Sequence, residues 1–510
     1  MFTEKDIAQI KDRNMTTNKV LSQINIFKSG IDFIKLDKAA TKPDDIVDVN
    51  DSISVDNQNV KTISFIPASG AASRMFQTLL NTLNEINAVG EDNFVLQKDN
   101  SFQSTCYFFD NIKKFAFYES LKKALAVEDY NIDILLSEHK YKTVLEYLLD
   151  EQGLNYAHKP KALLLFHNDG GRIKYAFEEH IIEAANYHSG DSIYLHYTLS
   201  PEHVDNFKAV LKDILPYYEN KFNSKIDISI SVQSPSTDTV AVNPDNSLFR
   251  NTDGSLLFRP GGHGALIYNL NNIDADVILI KNIDNVVPDS KKDIIVKYRK
   301  LLINNILHLF NERNKIIRIL SSLDSSDVNA EKTIFDCEKF ITGKLHVFLA
   351  DNYPDKRTSD KIQYLIQVID KPMRICAMVK NEGEPGGGPF VVSKNDCKSL
   401  QIVESSQINH KNDIQEAVFR SSTHFNPVDI VCMTKNAEGE RYNLADFIDH
   451  DTAFISSKSK DGKPLKALEL PGLWNGAMSR WITIFADVPV ETFNPVKTVN
   501  DLLREAHRNV

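Results

Sequence analysis

Cysteine is scarce in this chain. Five cysteines in 510 residues, odd in number and never spaced as Cys-x-x-Cys, leave little from which to build a disulfide framework or a structural zinc site. The simplest reading of Cys106, Cys337, Cys376, Cys397 and Cys432 is as reduced thiols, which points to the cytoplasm. Long apolar runs are missing too: none approaches the roughly 20 residues that a membrane helix needs. The first residues include Glu4, Lys5 and Asp6 and hold no apolar signal region, so neither secretion nor a membrane partner is expected. Basic charge is not in excess. A formal net charge of −10 argues against a general nucleic-acid binder, although an acidic protein can still hold a basic pocket. The three-glycine dinucleotide fingerprint is absent, as are internal repeats and low-complexity tracts.

What is present is the composition of an ordinary globular protein, 42% hydrophobic and 25% charged. The length exceeds what one core holds, so two or three units are expected. Residues 1–60 read as an N-terminal helical extension, with Thr3 and Asp6 as a helix start. Residues 61–288 read as a nucleotide-binding α/β core, interrupted by a helical insertion at about 77–158. A second helical insertion is expected at 289–370, and residues 371–510 return to strand patterns. Within the core, strand patterns at 62–66, 162–166, 192–198, 226–232 and 277–280 alternate with helical patterns at 75–86, 172–187 and 204–211. That alternation predicts an α/β sheet, mixed and mostly parallel, flanked by helices. Glu178-Glu179-His180 falls within the second of these helices and lacks metal-ligand spacing, so it reads as a solvated face. Residues 499–507 read as a closing helix.

The most informative segments lie far apart. Ala68-Ser69-Gly70-Ala71-Ala72-Ser73-Arg74-Met75 comes directly after the first strand and leads into a helix. Such a turn can aim backbone N–H groups at a phosphate. Arg74 adds a cation, and Lys161 in Lys159-Pro160-Lys161-Ala162-Leu163 can add another. Small-residue turns of this kind are common in α/β folds, so the weight rests on motifs further along the chain. Arg259-Pro260-Gly261-Gly262-His263-Gly264 permits close approach of backbone to a flat or charged ligand. Asp284 stands just after a short apolar strand, at the edge where open α/β sheets bind ligands. A carboxylate there suits Mg²⁺, which takes oxygen ligands beside phosphates.

Taken in order, these segments resemble the sugar-1-phosphate nucleotidyltransferases, and within them the UDP-sugar pyrophosphorylases. The resemblance covers most of residues 62–503 apart from the two insertions, and the whole chain also looks like an uncharacterised bacterial family. It implies a Rossmann-like nucleotide-diphospho-sugar transferase fold, with UTP and a sugar 1-phosphate as partners and Mg²⁺ as cofactor. Residues 68–73 (Ala68, Ser69, Gly70, Ala71, Ala72, Ser73) and Arg74 resemble the family's first loop, which is richer in glycine. Pro160-Lys161 resembles its Pro-Lys segment, and Gly261-Gly262-His263-Gly264 its uracil and ribose contact. Gln233 falls where the family has a base-reading Gln, and Asp284 where it has a metal-binding Asp. Glu404, in Val403-Glu404-Ser405, resembles the residue holding the sugar hydroxyls. Asn426, in Phe425-Asn426-Pro427, resembles the Asn of the family's next turn. Asn494-Pro495-Val496-Lys497 is similar to a family segment whose Lys contacts phosphates.

The resemblance further implies attack of the sugar phosphate oxygen on the α-phosphorus of UTP, releasing pyrophosphate. Arg74 would offset charge on the β- and γ-phosphates, while Lys161 and Lys497 would hold the reacting phosphates. The glycine run at 384–389, including Gly387, is either a sugar-site loop or a hairpin. Leu470-Pro471-Gly472-Leu473-Trp474-Asn475 lines a pocket or belongs to the core. Two other readings stay open. One is a glycosyltransferase, for which Asp274-Ala275-Asp276 has the letters of a metal motif but precedes its strand. The other is a noncatalytic nucleotide-sugar-binding protein.

Overall fold

The computed structural model describes residues 2–55, 59–70, 72–188, 192–383, 386–395 and 397–508. Ala71 therefore lies outside the described residues. The fold is mixed α/β, with a mostly parallel central sheet flanked by helices, as the alternation of strand and helix patterns implies. The chain divides into two compact units, each assembled from discontinuous segments. The first holds residues 1–63, 231–280 and 301–490, the second residues 64–230, 281–300 and 491–510.

In the first unit the neighbouring strands run in the order Ile46–Asp48, Ile482–Asp487, Met373–Lys380, Asp429–Met433, then Val277–Lys281. Met373–Lys380 pairs in parallel with Ile482–Asp487, Met373 opposite Ile482, and antiparallel with Asp429–Met433. Seven consecutive residues of Met373–Lys380 are buried, as expected of a strand covered on both faces. Helices Glu4–Asp12 and Thr17–Ser29 belong to this unit. The first is closed by a full capping box in which Thr3 and Asp6 exchange hydrogen bonds. Asp6 also accepts both Arg250 N–H groups at 2.8 Å.

In the second unit the strands Thr62–Pro67, Ser192–Leu199 and Lys225–Val232 lie side by side. Helices Ala176–Tyr187 and Val204–Phe222 accompany them. The interval between the first two strands is largely helical, from Gln77–Val89 to Tyr141–Leu149.

Four sequence expectations need correction. Residues 172–175 form a strand, and the helix begins only at Ala176, because Gly170-Gly171 closes a hairpin between Leu165–Asp169 and Arg172–Tyr175. Residues 161–163 form a single 3-10 turn ahead of that hairpin, not a strand. Residues 499–507 form two 3-10 turns, Val499–Leu503 and Glu505–His507, instead of an α-helix. Glu178, Glu179 and His180 are buried, not solvated. Basic groups meet them inside: Arg172 on Glu178, and Lys174 and Lys292 on Glu179. Helical spacing cannot show that partners from elsewhere will neutralise a charged face.

Candidate functional site

The second unit gathers the charged candidates. The small-residue turn is pinned to the Lys159-Pro160-Lys161 segment, with Ala72 N donating to Lys159 O at 3.0 Å and Lys161 N to Gly70 O at 3.5 Å. Ala68 N is taken by Thr198 O at 2.9 Å, and Ser200 Oγ donates to Ser69 O at 3.1 Å. The amides of Ser69 and Gly70 find no acceptor among the described residues. A Cβ built on Gly70 meets nothing within 4 Å. Ser73 and Arg74 come next in a 3-10 turn, and the α-helix starts at Gln77. The side chain of Arg74 is exposed and has no partner among the described residues.

The C-terminal segment closes on the same place. Val496 N donates to Asp284 O at 3.0 Å, and Pro495 bridges to Asn285. Lys161 Nζ then reaches Asp284 Oδ2 at 2.7 Å and Val496 O at 2.8 Å. Lys497 Nζ reaches the same Oδ2 at 3.3 Å. The sequence separations are 123 residues from Asp284 to Lys161 and 213 to Lys497. Asp501 orients the second lysine by accepting the amides of Lys497 and Thr498 at 3.0 and 2.7 Å. Nothing in the segment's own spacing marks Asp501 for that duty except a Thr-x-x-Asp capping pattern.

Asp284 is only 6% exposed. Burial by itself would raise its pKa, but the Lys161 and Lys497 ammonium groups outweigh that and hold it below the usual value. Its Oδ1 is buried without a hydrogen-bond partner. That orphaned oxygen fits a divalent cation, since Mg²⁺ is commonly held by one or two carboxylates plus substrate phosphates. A second acidic group, Asp169, Glu179 and Asp289, has its carboxylate atoms within 4.8 Å of one another. It does not suit a metal, because Lys174 Nζ bonds Asp169 and reaches Glu179 at 3.1 Å and Asp289 at 2.8 Å. An ammonium already fills the cation's place. His167 belongs to this network, between Glu179 and His507.

The first unit gathers the nearly neutral candidates. Gly261 and Gly264 are required by close packing, since a Cβ would stand 2.5 Å from Thr237 O at the first and 2.1 Å from Pro471 O at the second. Gly262 adopts φ +77°, and its missing Cβ leaves room for Glu469. His263 stacks on Trp474 with ring centroids 4.3 Å apart, and its Nδ1 accepts from Leu473 N at 3.1 Å. Burial pushes the imidazole down to about 4, so it stays neutral. Burial, with Glu469 nearby, raises the pKa of Glu404, and the Trp474 indole beside it offsets this only in part. Gly387 lies beside Glu404, where a Cβ would meet Ile402 Cγ2 at 2.6 Å and Glu404 Cγ at 3.5 Å. Asn426 N donates to Gly387 O at 2.8 Å, and its side chain is spent on Ala377 O and Val428 N. Gln233 donates to Thr237 Oγ1 at 3.2 Å.

Sequence reasoning leaves Trp474 undecided between pocket and core, and its contacts tie His263 to Glu404. Asp274-Ala275-Asp276 is engaged elsewhere: Lys435 holds Asp276 at 2.7 Å, and the amide of Lys61 takes its other oxygen at 2.9 Å. Among the described residues no helix is long and apolar enough to cross a membrane.

Residues 3–508 match the family described as a domain of unknown function, DUF4301, and the chain belongs to that family. No curated protein matches the sequence. Among solved structures the chain is similar to UDP-glucose pyrophosphorylase from Leishmania major. One mutant gives a TM-score of 0.47 at 12% identity, covering 99% of this chain and 79% of that one. Another, in complex with UDP-glucose, gives 0.47 at 13% identity over 98% and 77%. A UDP-glucose phosphorylase from Trypanosoma brucei gives 0.45 at 12% identity over 99% and 80%.

Proposed function

We propose that this protein is a nucleotidyltransferase that forms a UDP-sugar and pyrophosphate from UTP and a sugar 1-phosphate. The observation that carries the reading is the meeting of Lys161 and Lys497 on one oxygen of Asp284, whose other oxygen is unpartnered. Transfer at phosphorus asks little covalent chemistry of the protein. It needs alignment of the attacking and leaving oxygens and neutralisation of the charge that develops between them.

In this reading the two ammonium groups leave Asp284 in part to grip the α-phosphate and the incoming sugar phosphate. Arg74, exposed and without a partner among the described residues, takes the β- and γ-phosphates. The free amides of Ser69 and Gly70, with open space beside Gly70, donate to phosphate oxygens. Asp284 is the residue to hold Mg²⁺, which when bound would neutralise phosphate charge. No general base is required, because the attacking phosphate oxygen is already ionised at neutral pH. On the first unit, Gly261, Gly262, His263 and Gln233 are assigned to the nucleoside, and Glu404, Gly387 and Asn426 to the sugar. The neutral His263 ring adds no cation there, and Glu404 offers an acceptor to sugar hydroxyls.

The test is a pyrophosphate-release screen of each nucleoside triphosphate against a panel of sugar phosphates, with and without Mg²⁺. The expected result is UTP-dependent release that needs both a sugar 1-phosphate and the metal. Thermal stabilisation by UDP-sugars with no turnover for any pair would replace this reading with a noncatalytic binding protein.

A further inference from the structure

A cavity of about 950 Å³ lies wholly within the first unit, and none of the residues assigned to the nucleotide, the sugar or the metal lines it. It stands at the N-terminal ends of the parallel strands Met373–Lys380 and Ile482–Asp487. The register that sets Met373 opposite Ile482 brings Lys371 alongside Arg480 and Trp481, and Ile482 N donates to Pro372 O at 2.9 Å. Open α/β sheets bind their principal ligands at the opposite, carboxyl ends of the strands. Ile34, Val347, Phe348, Tyr364 and Leu400 supply apolar wall.

Five Lys or Arg residues and four Asp, among them Lys35, Asp32 and Asp446, line the cavity, so the question is which cations are already paired. Lys394 is satisfied by Asp449 and Asp451 at 2.7 and 2.8 Å, and Lys398 by Asp37 at 2.9 Å. The side chains of Lys371 and Arg480 have no hydrogen-bond or ion-pair partner among the described residues, although both residues line the cavity. Asp451 feels Arg480 only at a distance, its oxygen being held by Lys394. Trp481, itself buried, lines the same space with an indole N–H that has no acceptor. Behind the wall, Arg374 is 0% exposed. It donates to Thr483 Oγ1 at 2.9 Å and to Trp474 O at 2.6 Å, keeps one NH₂ group unpartnered, and makes no ion pair among the described residues. Thr483 lines the cavity too. Of the two lining cations Lys371 is half-buried and Arg480 exposed, and a cation without a counter-charge is the readier for an anion the more it is withdrawn from water. Lys371 feels this already, its pKa lowered by burial and by Arg480.

We propose that this cavity is a second ligand site, which takes a small organic anion with an apolar or aromatic body. The anionic group is set between Lys371 and Arg480 and the body lies against Trp481. The volume is within the range of drug-sized ligand pockets. Nothing in this assignment depends on nucleotidyl transfer.

The matched probes are 1-naphthyl phosphate and 1-naphthol, titrated calorimetrically into the full chain. Hydrogen bonds to a charged group are stronger than neutral ones, so the phosphate should bind at least about tenfold more tightly than the neutral alcohol. The double variant Lys371→Met with Arg480→Met should lose that preference. Arg480→Gln, at an exposed position that tolerates change, should weaken it and serves if the double variant fails to fold. Equal affinity for the two probes, no saturable binding of the phosphate, or a preference unchanged in Arg480→Gln would overturn the assignment.

Discussion

The two units solve opposite problems. In the second, Lys161, Asp284 and Lys497 form a charged knot, in which an aspartate only 6% exposed is tolerable because two ammonium groups share its oxygen. In the first, the side chains around Trp474 form no such knot: His263 is neutral, burial raises the pKa of Glu404, and the nearby cation, Arg374, is spent on the Trp474 carbonyl instead of a carboxylate. Charge gathered from distant chain segments suits phosphates, whereas glycine backbone and stacked rings suit flat, uncharged groups. The contrast shows where each kind of substitution should act.

The largest effect is expected at Lys497, whose side chain is 59% exposed and so carries little of the fold. Losing one preorganised charge-stabilising group costs about 2.7–4 kcal/mol in the transition state, by analogy with lost oxyanion donors. Lys497→Ala should therefore lower pyrophosphate exchange about a hundredfold or more with an unchanged melting temperature. Wild-type exchange would remove it from the chemistry. Gly264→Ala tests the other unit. A Cβ there collides with backbone, not with a movable side chain, and overpacking typically costs about 1–3 kcal/mol. A clear drop in melting temperature should result, while an unaffected melt would mean that the Pro471 turn can yield.

Acid should strain both units together. His180 and His196 in one and His263 in the other are pushed down to about 4 by burial. Between about pH 6.5 and 4 the unfolded chain binds more protons than the folded one, so stability is full above that window and falls as pH drops through it. Urea midpoints across the range provide the check. Glu404→Gln should act in opposite directions on two readouts. Removing a carboxylate whose burial disfavours its charge should leave the melting temperature equal or higher, while affinity for the sugar phosphate falls. The smallest effect on stability is expected for Gly70→Ala, where the added methyl meets only open space. Unchanged melting with weakened UTP binding would assign that space to the nucleotide.

Much of the α/β order was legible, because strands alternating with amphipathic helices leave periodic traces in the residues. Arg172 to Tyr175 broke the pattern, since the turn at Gly170-Gly171 overrode a helical spacing. The buried run Glu178-Glu179-His180 is illegible in principle. Its cations come from Arg172, Lys174 and Lys292, and burial of a charge depends on partners that no local window contains. Asp501 and Trp474 show the same limit, one orienting Lys497 and the other joining His263 to Glu404 through contacts set by packing.

By itself the sequence determined the residue types available for chemistry: small residues after a first strand, two lysines beside prolines, an aspartate after an apolar strand, and glycines around a histidine. Only the tertiary structure decided which of them meet. Backbone pairing at Val496 and Asp284 and the strand register at Met373 and Ile482 are long-range choices. They are made by the burial of whole strands and segments, a free energy that no short stretch of residues carries.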